Sequence, residues 1–263
     1  MAPTNRALTN RALTDAARER HDRLFPEGGS GLARTDPEFV EMFVDFAFDR
    51  IAGHGSLPEE LRLKLILAAL IAVGAEAEYR VMLGAALNGG VTPVEAKEIV
   101  YQAAAYVGQG RVYAFLHATN DVLTARGVEL PLPPQATVAP EDRWQAGWDL
   151  QVQIFGDAIQ AGYDAAAPDE RHLRDRLADN CFGDYQTRSG LDTPTRELLT
   201  FCYLVALGGA DPQARSHAQG NANVGNDRGV LLDALTTLLP WIGYPRTLNG
   251  LAAVNAALPP EGN

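Results

Sequence analysis

Histidine is the side chain whose charge changes near neutral pH, and His217 stands in the run Arg215-Ser216-His217 shortly after Gly208 and Gly209. An imidazole there can accept and return a proton during acid/base chemistry. The alternative reading is a helix-start histidine bonded to a nearby carbonyl. Upstream, Glu197 near the start of an apolar run is a carboxylate that a helix dipole favours by itself. Around a tight turn centred near Ala210, the two are out of step by about six residues, ~9 Å at 1.5 Å per residue. They therefore meet only if their helices cross or another subunit intervenes. Arg188, Arg196 and Arg215 surround the same region, and a permanently charged planar guanidinium is suited to clamping a carboxylate. Trp241 and Tyr244 are candidates to line an apolar pocket, or else core aromatics, and Asn221 and Asn249 are candidate polar contacts.

Other chemistries find less support. Cys181 and Cys202 are the two cysteines and share no paired spacing, which speaks against a metal knuckle, a redox dithiol or a disulfide framework and for a reducing cytoplasm. No metal-ligand cluster is visible, and neither metal nor cofactor is expected. Schiff-base chemistry has two candidates, Lys64 and Lys97, both in the first half. A net charge of -11 argues against a nucleic-acid partner, because phosphate binding needs a basic surface. The first twenty residues carry arginines without an apolar core segment, so they do not read as a secretory signal. The longest apolar stretch, from Leu65 to Ala75, is too short to cross a bilayer and reads as a buried helix.

The elements that must position these residues occur twice. LPEELRLKLILAALIAVG (57–74) and LDTPTRELLTFCYLVALG (191–208) share Leu57/Leu191, Arg62/Arg196, Leu70/Leu204 and Gly74/Gly208 in register. Further on, Gly108/Gly243, Arg111/Arg246, Asn120/Asn255 and Leu123/Leu258 coincide as well, an order that duplication explains. Between the copies, residues 127–142 carry Pro131, Pro133, Pro134 and Pro140, which no helix passes through. The expected domains are therefore 1–126 and 143–263, joined by a proline-rich linker at 127–142. TNRALTNRAL (4–13) reads as a frayed leading helix.

Only helices are expected within each copy. Ser56 with Glu59, and Thr92 with Pro93 and Glu95, read as capping-box starts; Thr193 with Pro194 opens a further helix, and Gly74, Gly108 and Gly208 are stops. The runs Leu61 to Val73 and Glu197 to Leu207 are apolar almost all round, as in elements enclosed by others. Ile99, Ala103 and Tyr106 in one covering helix, and Leu231, Leu235, Leu238 and Ile242 in the other, are the expected core positions. The aligned positions of Glu197 and His217 in the first copy hold Leu63 and Val81, which cannot move a proton. That copy reads as a scaffold, with His54 and His117 structural.

The second copy resembles the carboxymuconolactone decarboxylase family. The resemblance rests on R-S-G-L-D (188–192), T-R-E-L-L (195–199), R-S-H (215–217) and W-I-G-Y-P (241–245), across about Phe182 to Leu258. It implies an all-α fold of the alkylhydroperoxidase D type, here as two tandem helical domains related by a pseudo-two-fold repeat, and a homotrimer mimicking a hexamer. It also implies that His217 and Glu197 are catalytic, with Arg188, Arg215, Arg196, Trp241 and Tyr244 binding substrate. The activity implied is a cofactor-free decarboxylase, lyase or isomerase acting on a small carboxylated lactone or related carbonyl compound. The rival reading is a non-catalytic oligomeric scaffold or ligand binder. Peroxidase relatives carry a C-x-x-C pair before the histidine; the stretch here is GGADPQARSH (208–217), without thiols for that mechanism.

Overall fold

The computed structural model of the chain describes residues 13–28 and 31–260, so nearly all of the 4–13 repeat lies outside the described residues. Within them every regular element is helical. The first copy comprises α1 (Asp15–Leu24), α2 (Pro37–Val44) with a π-helical extension Asp45–Ile51, α3 (Glu59–Val73), α4 (Glu76–Asn88), α5 (Pro93–Val107) and α6 (Gln109–Ala125). The second comprises α7 (Arg143–Phe155), α8 (Ala158–Asp164), α9 (Arg171–Arg176) with a π-helical extension Leu177–Gln186, α10 (Thr193–Leu207), α11 (Asp211–Asn223) and α12 (Arg228–Ala257). Gly243, with φ 77° and ψ 168°, breaks α12 into two helices, the counterparts of α5 and α6. The duplication thus extends to a matching π-helical turn ahead of each central helix.

Helices α3 and α10 pack on one another at the centre. Leu65, Leu67 and Leu199 have no exposed surface, and each such side chain contributes roughly 1.5–3 kcal/mol on leaving water. The uniform apolarity of both runs follows from this placement, because every face of the central pair meets another helix. One continuous core contains residues of both copies. Among the described residues no helix is long and apolar enough to cross a membrane.

The covering helices of each copy reach across to the central helix of the other as well as covering their own. Helix α5 packs on α10 and on the second copy's π-helical extension, as well as on α3; α12 packs on α3 and on the first copy's extension. A buried arginine marks each crossing. Arg62 Nε donates to Leu57 O and its Nη1 to Thr237 Oγ1 on α12; Arg196 Nε donates to Leu191 O and its Nη1 to Gln102 Oε1 on α5.

The local signals map as follows. Thr92 and Glu95 form the full capping box of α5, and Gly74 ends α3 in the left-handed region at φ 76°. Ser56 does not cap α3: its amide and hydroxyl bind Asp233 on α12, and Pro58 takes the cap position without a side-chain bond. Helix α10 begins at Thr193 as expected, and Asp192 caps it, accepting from Thr195 N. Residues 128–140 contain no helix and run alongside α5 and the 187–189 stretch, where Ser189 N donates to Gln135 O and Thr137 Oγ1 to Thr187 O.

Candidate active site

His217 and Glu197 meet within one chain: Nδ1 lies 2.6 Å from Oε1. The axial mismatch expected of an antiparallel hairpin does not keep them apart. The turn holds Gly208 and Gly209, both at positive φ, and Gly220 of α11 lies level with Glu197 of α10, so the glutamate side chain spans the remaining helical turn back to His217. Asn221, one turn beyond the histidine, donates from Nδ2 to the carbonyls of both Glu197 and His217 and pins the two helices together. Gly220 makes the approach possible, since a Cβ there would collide with Glu197 Oε1 and lie 2.8 Å from Phe155 Cε1.

The carboxylate is enclosed, with a side-chain exposure of 1% against 13% for the imidazole. Its second oxygen, Oε2, is buried without a hydrogen-bond partner. The imidazole is held edge-on between two rings, Phe155 at 5.2 Å and Tyr106 at 6.2 Å between centroids. Phe155 arrives on α7, which lies backbone to backbone on the π-helical extension: a Cβ on Gly147 would strike the main chain of Ala178 and Gly183, and one on Gly183 the carbonyl of Arg143.

Tyr106 belongs to the first copy. Its hydroxyl accepts from Gln186 Nε2 at 2.6 Å and from Cys181 Sγ at 3.9 Å. Gln186 also donates to Thr200 Oγ1, to which Gln102 donates as well. Burial holds the Tyr106 phenol well above its ordinary range, with the nearby Cys181 and Glu197 adding to the shift, so the tyrosine stays neutral. Burial likewise pushes the Cys181 thiol up to about 12 and Cys202 further, so neither cysteine offers a thiolate.

The arginines are placed differently from one another. Arg196 is 1% exposed and spends its donors on Glu98 Oε2, Gln102 Oε1 and the carbonyls of Leu191, Arg188 and Ser189. Arg188 forms a forked ion pair with Glu98 through Nε and one terminal nitrogen. Both are thus committed to a carboxylate of α5. Arg215 is exposed and, two residues from His217 on the same helix, stands about 200° away around it.

The expected aromatics also lie apart from the pair. Trp241 packs edge-on against Phe43 at 5.1 Å and Phe48 at 6.5 Å in the first copy, and Tyr244 is 61% exposed. The reach of the covering helices across copies explains this: α12 carries Trp241 away to the first copy, while α5 brings Tyr106, its counterpart in the repeat, to His217. Tyr106, Gln186 and Phe155 are the neighbours that residue types alone did not flag; the Tyr106/Trp241 correspondence was the available signal. In the first copy Leu63 is buried at the position of Glu197, Val81 is half exposed, and His54 and His117 are both exposed. Among the described residues no three His, Cys, Asp or Glu side chains gather as a metal site.

Fold and site together define a duplicated all-helical protein with a buried carboxylate–imidazole pair in its second copy. The model of the family described as "Carboxymuconolactone decarboxylase family" matches residues 37–121 and again 171–256. The chain belongs to this family, as a tandem member. It is also similar to 4-carboxymuconolactone decarboxylase of Acinetobacter baylyi (strain ATCC 33305 / BD413 / ADP1), 31% identical over 91 residues that span 35% of this chain and 68% of the relative.

Proposed function

We propose that the chain is a cofactor-free decarboxylase or isomerase that moves a proton next to the carbonyl of a small carboxylated lactone or related compound. The observation that carries this reading is the 2.6 Å bond between His217 Nδ1 and the enclosed Glu197. A carboxylate on Nδ1 fixes the orientation of the ring, leaving Nε2, which has no partner among the described residues, as the working nitrogen. In the decarboxylation version, the bond to the carboxyl carbon breaks and its electron pair flows into the conjugated carbonyl. Nε2–H then protonates the resulting carbanion or enolate, and Glu197 balances the imidazolium beforehand. The similarity to the decarboxylase family supports the reaction class, while Arg188 and Arg196, being bound to Glu98, are not assigned a substrate role at this histidine. The same reading includes a homotrimer, which sedimentation of the full chain measures.

One observation favours binding alone. Two surface clefts, one beside the connector and one beside α7, are lined by residues other than His217 and Glu197, and the His217 ring is flanked by Phe155 and Tyr106. The enzymatic reading requires substrate to reach the exposed edge of that ring. Turnover of a panel of carboxylated lactones and β-keto acids, compared between wild type and His217→Ala, decides the matter. Removal of the proton donor is expected to lower kcat by about 10²–10⁴-fold. Turnover that survives the substitution for every active compound refutes the assignment.

A further inference from the structure

A cleft of about 310 Å³ opens between the 130–135 segment of the connector and helices α5 and α6. Three features of its lining point to an anion. Lys97 extends into a half-buried position where its recorded partner is the neutral Asn120 Oδ1, and no carboxylate pairs with it among the described residues. An ammonium has three donors, so two remain for a ligand. Arg188 uses Nε and Nη2 on Glu98 and keeps Nη1 without a partner among the described residues. The Tyr101 ring lies near both, its centroid 5.9 Å from Lys97 Nζ and 5.3 Å from the Arg188 guanidinium carbon.

Glu98, the acidic group in the lining, is already claimed by two arginines. The cleft is therefore locally cationic in a chain of net charge -11. Its remaining walls are apolar, with Val94, Leu130 and Leu132 beside the prolines. The helical frame does not dictate these residue types. At the repeat-related positions stand Leu232 for Lys97, Thr236 for Tyr101 and His54 for Arg188, and the proline-rich segment runs along one side only. Burial without an ion partner lowers the Lys97 ammonium from its ordinary value, a standing cost that a bound anion would relieve.

We propose that this cleft binds a small organic carboxylate, its charged end on Lys97 and Arg188 and its carbon body against Tyr101 and the connector prolines. The volume falls at the lower end for small-molecule sites. None of the lining residues belongs to the His217–Glu197 pair, so the site stands or falls separately from the proposed chemistry.

Benzoate serves as the probe, titrated by calorimetry into the full chain. One saturable site is expected in wild type, weakened about tenfold or more in Lys97→Gln, recovered in large part in Lys97→Arg, and unchanged in His217→Ala. Lys97→Gln should melt no lower than wild type, since it loses the desolvated ammonium, so that weaker binding reports the site and not unfolding. Equal affinity in Lys97→Gln, absence of saturation, or loss of binding in His217→Ala each overturns the proposal. Displacement of benzoate by equimolar inorganic phosphate also overturns it, because the site would then recognise charge alone.

Discussion

Replacing Glu98 by alanine strikes the contact on which both copies depend. Its carboxylate, 1% exposed, accepts from Arg188 at 2.9 Å and from Arg196 at 2.9 Å, and Arg196 is itself 1% exposed. Removing one partner of a buried pair leaves an uncompensated charge, at a cost of about 3–5 kcal/mol. Here the carbonyls of Leu191, Arg188 and Ser189 and the Gln102 amide oxygen remain around Arg196. Those dipoles hold the expected loss near the lower end, about 3 kcal/mol. For a chain of this size that corresponds to a fall in Tm of roughly 6–12 °C. Circular dichroism melts at one fixed protein concentration measure it, since any self-association would shift Tm with concentration. The double variant Glu98→Ala/Arg196→Met should be more stable than Glu98→Ala, because it removes the stranded guanidinium. A loss under about 1 kcal/mol for Glu98→Ala, or a double variant no better than the single, would show that the carbonyl cage suffices and that the cross-copy ion pair is incidental.

Gly220→Ala retains an ordinary helical φ but drives a methyl group into Glu197 Oε1 and Phe155; overpacking of about 1–3 kcal/mol is expected in denaturant melts, with turnover falling as the carboxylate is displaced from His217. Native protein should leave both thiols unreacted with Ellman's reagent at pH 8, because burial holds them almost wholly protonated, and should release both on unfolding. Lys97 gives a pH signature: with its folded pKa lowered, its destabilising effect is full below that value and fades as pH rises toward the unfolded value of 10.5. Stability of Lys97→Met relative to wild type should accordingly shrink across that alkaline window, and a difference independent of pH would contradict the desolvation argument.

The central helices were legible because enclosure on every side leaves a compositional trace: α3 and α10 are apolar almost all round. The covering helices were legible for a similar reason, since Ile99, Leu231 and Leu238 follow the helical period and all are fully enclosed. Periodicity shows which face is covered but not which copy does the covering, so it did not tell that Trp241, a candidate pocket or core aromatic, packs on Phe43 and Phe48 of the first copy while Tyr106 stands beside His217. The meeting of Glu197 and His217 was hidden for another reason. Counting residues compares backbone levels only, whereas the absent side chain at 220 brings the helices close enough for the glutamate to reach back one turn to the imidazole. Ser56 misled through its resemblance to a capping box; its donors were satisfied by Asp233, nearly two hundred positions along the chain.

The reciprocal reach of the covering helices changes what loss of function means for a duplicated gene. Among the described residues the first half holds no counterpart of the Glu197–His217 pair, with Leu63 and Val81 at those positions, yet it furnishes the phenol, the amide and the carboxylate that surround or brace the second half's histidine region. A half-chain expressed alone would present a central helix stripped on one side and a histidine lacking its aromatic wall. Leu63 takes no part in these cross-copy contacts, whereas Glu98, Gln102 and Tyr106 are tied to partners in the other half of the same molecule.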